Sequence, residues 1–420
     1  MSIDAAERQL PGGLVLRSAG PPDLEQIGAL LVERGEEADA LDHRLVMADP
    51  DAGWESCAVI TDAGRVVSTA TLLDERLRLG SVELPAGQVE LVATARAYEG
   101  RGLVRALMAW AHARSAERGQ VVQVMVGIPY FYRLFGYDYA IDIPQPRTVD
   151  RKRDRSGPQG SGRARLRPAT LADVTALRAL QEAAQATVDV AMPHSRARTR
   201  WLVQHESSTT WVLDRGDSVV ACARVQGDPD GEVLAAEVAA SDENAASDLL
   251  SGLLSLAGTR PLRVVDRPGT MPNSSWAAQL RAADEEQANQ YYVRIPDPAI
   301  LLDQLRPVLG ERLTRVATPD LAATGGVPAV VLSTFGRHYR LPIGQDGLGA
   351  VITGGPLQAP GAIGGAGVAP DALGALLFGQ RGIAGLARQR PDVYPGPNRA
   401  LFEALFPPQT ADLLTYYLPY

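Results

Sequence analysis

Lysine is nearly missing from this chain: it occurs once, at Lys152, against forty arginines in 420 residues. No glycine-rich run precedes it, so the sequence has no Walker A lysine and no phosphate loop of that kind. It lies in the charged run Arg151-Lys152-Arg153-Asp154-Arg155, a poor place to desolvate a Schiff-base amine, which argues against pyridoxal chemistry. Cysteine is scarce too. Cys57 and Cys222 make neither a disulfide framework nor a zinc knuckle. Each lies in an apolar, strand-like run and reads as a buried structural thiol of a reducing compartment. The histidines His43, His112, His194, His205 and His338 are scattered without ligand spacing, and no metal site is expected. No apolar run reaches the length of a membrane helix, and no basic-then-apolar leader pattern opens the chain, so no membrane partner is expected and the expected location is the cytoplasm. There is no G-x-S-x-G nucleophile elbow, and no G-x-G-x-x-G opens a helix.

What is present describes an ordinary folded protein. Hydrophobic residues make up 45% and charged residues 21%, enough apolar material for several cores. The length corresponds to roughly two to four domains. A net charge of −8 argues against a nucleic-acid partner, which needs a concentrated basic face.

The organisation is repetitive. Leu16-Arg17-Ser18-Ala19 followed by Asp23 recurs as Leu166-Arg167-Pro168-Ala169 followed by Asp173, each leading from a short strand into a helix pattern with the Asp at its start. Leu91-Val92-Ala93-Thr94, then Leu103 and Leu107, is matched by Glu237-Val238-Ala239-Ala240, then Leu249 and Leu253. Two tandem copies of one α/β domain are the simplest explanation. A stretch rich in Pro, Gly, Ser and Arg, near Pro144 to Arg165, reads as the linker between them. A third region begins near Tyr292 with the helical stripe Ile300, Leu301, Leu305 and Leu309, continues through glycine-rich turns and a helical stretch from Ala372 to Ala387, and ends in an apolar, aromatic tail that reads as docked.

The segment from Val89 to Tyr139 carries the chemistry. A strand, Val89-Glu90-Leu91-Val92-Ala93-Thr94, is followed by a polar turn, Arg96 to Arg101, and from Gly102 by Leu103, Ala106, Leu107, Trp110 and Ala111 at helical spacing. A helix start presents unpaired N–H groups and partial positive charge. Gly100, Arg101, Gly102 and Arg105 at such a start suit a pyrophosphate. A second strand then leads to Gly127-Ile128-Pro129-Tyr130-Phe131-Tyr132-Arg133-Leu134-Phe135-Gly136-Tyr137.

Turn and aromatic run together resemble motif A and the F-Y-x-x-x-G-F/Y signature of the GNAT superfamily of N-acetyltransferases. Motif A is usually R/Q-x-x-G-x-G/A; here Glu99, Gly102 and Val104 stand at its first, fourth and sixth places. The valine is similar to that of the enhanced intracellular survival (Eis) acetyltransferases, whose whole-chain layout this sequence also resembles. The resemblance implies an α/β (α+β) fold: tandem GNAT domains, each a mixed central sheet flanked by helices, plus a C-terminal sterol-carrier-protein-like α+β domain. The expected segments are an active GNAT domain at 1–145, a linker at 146–163, a degenerate GNAT domain at 164–291 and the sterol-carrier-like domain at 292–420. Alignment places Asp248 of the second copy at the position of Gly102, with Asp242 and Glu243 just before it, where carboxylates would repel a pyrophosphate.

The implied function is N-acetyl transfer from acetyl-CoA to a primary amine, directly within a ternary complex. Acetyl-CoA would be held by Val92, Ala93, Thr94, Gly100, Arg101, Gly102, Leu103, Val104, Arg105, Gly127 and Ile128. Tyr132 aligns with the family's general acid. For the base, the resemblance points to the terminal carboxylate on Tyr420, with Glu90 as competitor. The acceptor is a small-molecule amine, with polyamine, aminoglycoside-like and lysine acceptors in view. Glu33, Glu36, Glu37 and Asp39 are candidate lining residues for its cleft. A homo-oligomer is implied by resemblance alone. The alternative is a non-catalytic scaffold that binds CoA or lipid.

Overall fold

The computed structural model describes residues 7–35, 37–49, 52–152, 164–205, 208–227, 231–282, 289–316, 328–345, 347–415 and 418. The chain opens with β1 (Arg8–Leu10), β2 (Leu14–Ser18), α1 (Leu24–Arg34), α2 (Glu37–Ala48), β3 (Cys57–Asp62), β4 (Arg65–Leu79), β5 (Val82–Thr94), α3 (Leu103–Glu117), β6 (Val122–Met125) and β7 (Asp138–Asp142). There follow β8 (Pro146–Thr148), β9 (Ala164–Pro168), α4 (Val174–Gln185), β10 (Val190–Met192), α5 (Arg196–Val203), β11 (Thr209–Arg215), β12 (Ser218–Gly227), β13 (Val233–Ala240), α6 (Glu243–Ala257), β14 (Leu262–Val265) and α7 (Met271–Trp276). The last third holds β15 (Gln290–Arg294), α8 (Pro298–Gln304), α9 (Arg306–Thr314), β16 (Ala329–Ser333), β17 (His338–Gly344), β18 (Gly347–Leu348), β19 (Ile352–Gly354), β20 (Ala366–Val368), α10 (Leu373–Phe378), α11 (Gly382–Gln389), β21 (Val393–Tyr394), α12 (Arg399–Leu405) and β22 (Ala411–Leu413).

The repeat is visible in atomic detail. Arg17 clamps Asp23 through two hydrogen bonds of 2.6 and 2.7 Å, and Arg167 clamps Asp173 through two of 2.8 and 2.9 Å. In each copy the same carboxylate also accepts a backbone N–H at 2.8 Å, from Gly20 or Thr170, and so fixes the turn that enters the helix. The second match is as close: Leu91 on β5 (φ 52°) and Glu237 on β13 (φ 51°) both adopt the left-handed conformation at a bulge in the ladder.

Among the described residues the strands form three mixed sheets. The first runs β1-β2-β3-β4-β5-β6-β15-β7, with β10 and β22 continuing from the far end of β4. The second runs β8-β14-β13-β12-β11-β9, and the third centres on β17, β16 and β20. The sheets do not respect linear boundaries. β8, placed in a linker by its composition, pairs antiparallel with β14, and Arg147 anchors it to Asp266 at 2.8 Å and to the Arg281 carbonyl at 2.7 Å. In turn β15, which contains Tyr292, crosses back to lie between β6 and β7. Each copy thus completes its sheet with a strand lying beyond its own segment, because the last short parallel strand of each needs an edge partner for its N–H and C=O groups.

The final stretch is knitted in as well. β22 lies parallel to β10, which pairs with β4. The helical stretch expected from Ala372 to Ala387 is two helices, α10 and α11. They break at Gly379, where a Cβ would lie 2.5 Å from the Ala140 and Ala375 carbonyl oxygens. The largest core cluster joins Leu77, Leu84, Val122 and Ile141 of the first sheet to Leu305, Leu332, Leu376 and Phe402 of the last third. Cys57 and Cys222 are buried free thiols, as expected. Among the described residues no helix is long and apolar enough to cross a membrane.

One buried ion pair ties the end of the chain to the second copy. Arg267 donates to both oxygens of Asp412 on β22, at 3.0 and 2.7 Å, and each side chain is under 5% exposed. Asp412→Ala leaves a desolvated guanidinium and should destabilise the protein by about 3–5 kcal/mol. Chemical denaturation checks this: the unfolding midpoint should fall, and the double variant Arg267→Met/Asp412→Leu should recover much of the loss.

Candidate active site

The site begins where two strands part. β5 and β6 pair in parallel at Ala86, Gly87 and Gln88 against Val122, Gln123 and Val124, and no further. β5 runs on to Thr94 while still paired with β4, so from Val89 onward its other edge is open. The bulge at Leu91 bends the strand at this place. Val92 and Thr94 are half-buried and Ala93 is buried, and the Thr94 hydroxyl is engaged by the Ser68 hydroxyl at 2.6 Å. What the opening offers is therefore largely backbone.

The turn after β5 leads to a bare helix start. Gly100 (φ 73°) and Gly102 (φ 78°) are left-handed, and the space beside both is open. No side chain caps α3, and its first bond runs from the Ala106 N–H to the Gly102 carbonyl, which leaves the N–H groups of Leu103, Val104 and Arg105 without intrahelical partners. Leu103 is buried and Val104 half-buried, so these two present backbone rather than side chain. Arg101 lies over the Tyr98 ring at 4.6 Å, and Arg105 lies 5.6 Å from the Phe135 ring. Glu99 is ion-paired with Arg34 at 2.6 Å, which offsets the one negative charge in the turn. The residues therefore fit a pyrophosphate.

Across the opening lie Gly127 and Ile128. A Cβ on Gly127 would lie 2.3 Å from the Tyr132 ring, so glycine is what lets Tyr132 pack there. Ile128 is exposed, and its carbonyl accepts the Tyr292 hydroxyl at 3.2 Å. Tyr132 is 7% exposed and packs among Phe131, Tyr137 and Tyr292 at ring separations of 5.2, 6.3 and 6.1 Å. Its hydroxyl bonds to no described residue. Burial, and then the nearby Glu90 charge, push the phenol up to about 12. Glu90 is also buried and accepts the Gln88 amide at 2.6 Å. Burial pushes its carboxyl up to about 8, although Arg198 and the Gln88 hydrogen bond pull the other way.

Arg198 and Glu75 belong to no sequence motif. Arg198, on α5 of the second copy, forms a fully buried ion pair with Glu75 on β4 and lies 5.1 Å from the Trp201 ring. No local pattern joins residues 123 positions apart; a buried-face charge at Glu75 within an apolar strand was the signal available. Tyr292 likewise arrives only through the strand exchange. Tyr420 and Glu36 lie outside the described residues. Glu33 and Glu37 are exposed, whereas Asp39 is half-buried and adds to the negative charge felt by Glu90. His112, on α3, is half-buried with its ring 5.7 Å from Tyr137, and burial pushes it down to about 4.

The second copy corrects one alignment. Asp248 does not stand where Gly102 does; it lies inside α6, 3.6 Å from Arg215. The buried faces Leu103-Leu107-Met108-Ala111-Ser115 and Ala245-Leu249-Leu250-Leu253-Ala257 match at an offset of 142, against 146 at the bulge. The turn has lost four residues and its glycines. Asp242 occupies the cap position and accepts the Ala245 N–H at 2.7 Å, so this helix start is already satisfied by a carboxylate. The open edge is filled as well: Arg267 donates to the Val238 carbonyl at 2.7 Å. Glu237 at the bulge is clamped by His194 and Arg224, at 3.0 and 3.1 Å. These partners outweigh burial and hold it down to about 2.

Residues 34–140 match the family model described as an acetyltransferase (GNAT) domain. That window holds the parted strands, the glycine turn, α3, Glu90 and Tyr132, so the chain carries a GNAT acetyltransferase domain here. No curated protein matches the chain at a significant level. Solved structures match nearly end to end. A GCN5-related N-acetyltransferase from Kribbella flavida has 16% identity and a TM-score of 0.65, covering 96% of this chain and 100% of that one. Another from Anabaena variabilis has 13% identity and a TM-score of 0.66, over 95% and 99%. Eis1 from Mycobacterium abscessus has 15% identity and a TM-score of 0.60, also over 95% and 99%. At such identities the likeness is one of fold.

Gly102→Asp adds a negative charge at the bare helix start and should weaken binding of a pyrophosphate-bearing ligand, with CoA as the probe, by about tenfold or more. Isothermal calorimetry checks this. The space beside Gly102 is open, so thermal unfolding should show a folded variant.

Proposed function

We propose that this chain is an acetyl-CoA-dependent N-acetyltransferase acting on a primary amine, with one active site, in the first copy. The observation that carries the reading is the open edge of β5 facing a bare, glycine-led helix start, with Glu90 and Tyr132 buried beside the opening. The N–H groups from Gly102 to Arg105 hold the pyrophosphate, with Arg101 and Arg105 alongside. The free backbone of Val92 to Thr94, with Gly127 and Ile128 opposite, holds the pantetheine arm and donates to the oxygen on which charge develops. Acetyl-CoA supplies an activated acetyl thioester and a thiolate leaving group. The amine nitrogen forms a bond to the acetyl carbon, the C–S bond breaks, Glu90 accepts the proton from nitrogen, and Tyr132 gives its proton to the departing sulfur. A phenol held near 12 keeps that proton at neutral pH.

Glu90 takes the place of the Tyr420 carboxylate in this reading because it is buried, beside Tyr132 and raised towards neutrality, which makes it a stronger base than an ordinary carboxylate. The second copy is structural, its helix start and open edge being occupied by Asp242 and Arg267. The segment from 292 onward is read as sterol-carrier-protein-like on resemblance alone, and the cytoplasm as the place of action.

Calorimetric titration with acetyl-CoA should give one site per chain. Two sites would overturn the silent second copy, and none would overturn the reading in favour of a non-catalytic scaffold. Tyr132→Phe should lower kcat by about 10²–10⁴-fold with little effect on acetyl-CoA affinity. A base must be deprotonated to act, so kcat/KM should rise with pH through about 8 as Glu90 ionises. In Glu90→Gln that limb should vanish along with most of the activity.

A further inference from the structure

A cavity of about 680 Å³ lies between β4 and the second copy's α4 and α5, within the size range of small-molecule sites. Leu73 and Glu75 line it. They share one face of β4 with Thr71, while the lining residues Asp74, Arg76 and Arg78 lie on the other. Thr71 is opposite Glu90 in the β4–β5 ladder, and Leu73 is opposite Gln88, which donates to Glu90. The part of the cavity wall formed by Leu73 and Glu75 therefore shares the sheet face of the proposed base, and the lining residue Arg198 acts on the charge of Glu90.

Its charges do not cancel. Glu75 is paired with Arg198, and Glu182 with Arg178 at 3.0 Å. Asp74 and Glu83 are likewise held, by Arg118 at 3.2 Å and Arg76 at 3.1 Å. Every carboxylate lining the cavity thus has an arginine. Two lining guanidiniums, Arg78 and Arg196, have no carboxylate among the described residues. Arg78 is spent on the carbonyls of Gly80, Gln185 and Val188, and Arg196 is exposed. The remaining wall is largely apolar, with Leu73, Pro193, Ala197 and Trp201 beside the polar Gln185, His194 and Ser195. A polycation meets surplus positive charge here.

We propose that this cavity is the acceptor site and that it takes an amine carrying a carboxylate at the far end of an apolar body, of the size of a short peptide, with Arg196 facing the carboxylate. This rests on the acetyltransferase reading. The amine end is directed to Glu90, and the transfer is the one already balanced above: N–C bond formed, C–S bond broken, the amine proton to Glu90 and the Tyr132 proton to sulfur.

The test is calorimetric binding of phenylalanylglycine, its C-terminal amide and spermidine to the full chain saturated with CoA. The free acid should bind at least about tenfold tighter than the amide, and spermidine more weakly still. Arg196→Met, at an exposed position, should erase the difference between acid and amide. Equal or tighter binding of the amide, preference for spermidine, an unchanged preference in the variant, or no binding of the dipeptide would each overturn the inference. A protein that fails to bind CoA at all would instead overturn the acetyltransferase reading on which it rests.

Discussion

The parting of β5 from β6 after Gln88 and Val124 is the constraint on which the rest of the site depends. A parallel pair that stayed zipped would consume the edge of β5, leave no gap, and bury the backbone groups now available. The bulge at Leu91 produces the divergence, and Gly127 lets Tyr132 fill the far side without closing it. The glycine turn then aims a bare helix start at the gap. Backbone geometry comes first, and the ionisable groups Glu90 and Tyr132 gain their raised values from the burial that this geometry imposes.

The second copy shows the same backbone with the opposite outcome. Its bulge at Glu237 has the conformation of Leu91. Yet the shortened turn ends in Asp242, which satisfies its own helix, and Arg267 occupies the edge that would otherwise be open. Buried charged and polar pairs then tie this copy to the rest of the chain. Glu75–Arg198 and Asp42–His205 join it to the first copy, and Arg267–Asp412 joins it to the last third. Such pairs contribute little net stability but penalise any docking that leaves one member alone. The two exchanged strands, β8 and β15, add a backbone version of the same specificity.

Much of this was legible in the residues. The repeated Arg–Asp clamp, the strand before the turn, Gly100 and Gly102, and the aromatic run around Tyr132 are local signals, carried by neighbours within a few positions. The failures have equally definite causes. Asp248 was misplaced because counting residues cannot see a turn shortened by four. The composition around Pro146 resembles a linker, yet an unpaired strand edge in the second sheet recruits it.

The sequence by itself determined the repeated strand-to-helix pattern, the glycine-led helix start and the placing of Glu90 and Tyr132 on either side of it along the chain, because turn chemistry and hydrophobic periodicity act over short stretches of chain. Only the tertiary structure decided that Arg198 faces Glu75, that Tyr292 packs on Tyr132, and that the cavity beside Glu90 carries surplus arginine charge. Those outcomes arise from strand exchange and from desolvation of distant charges against one another, and neither leaves a periodic mark in the order of residues.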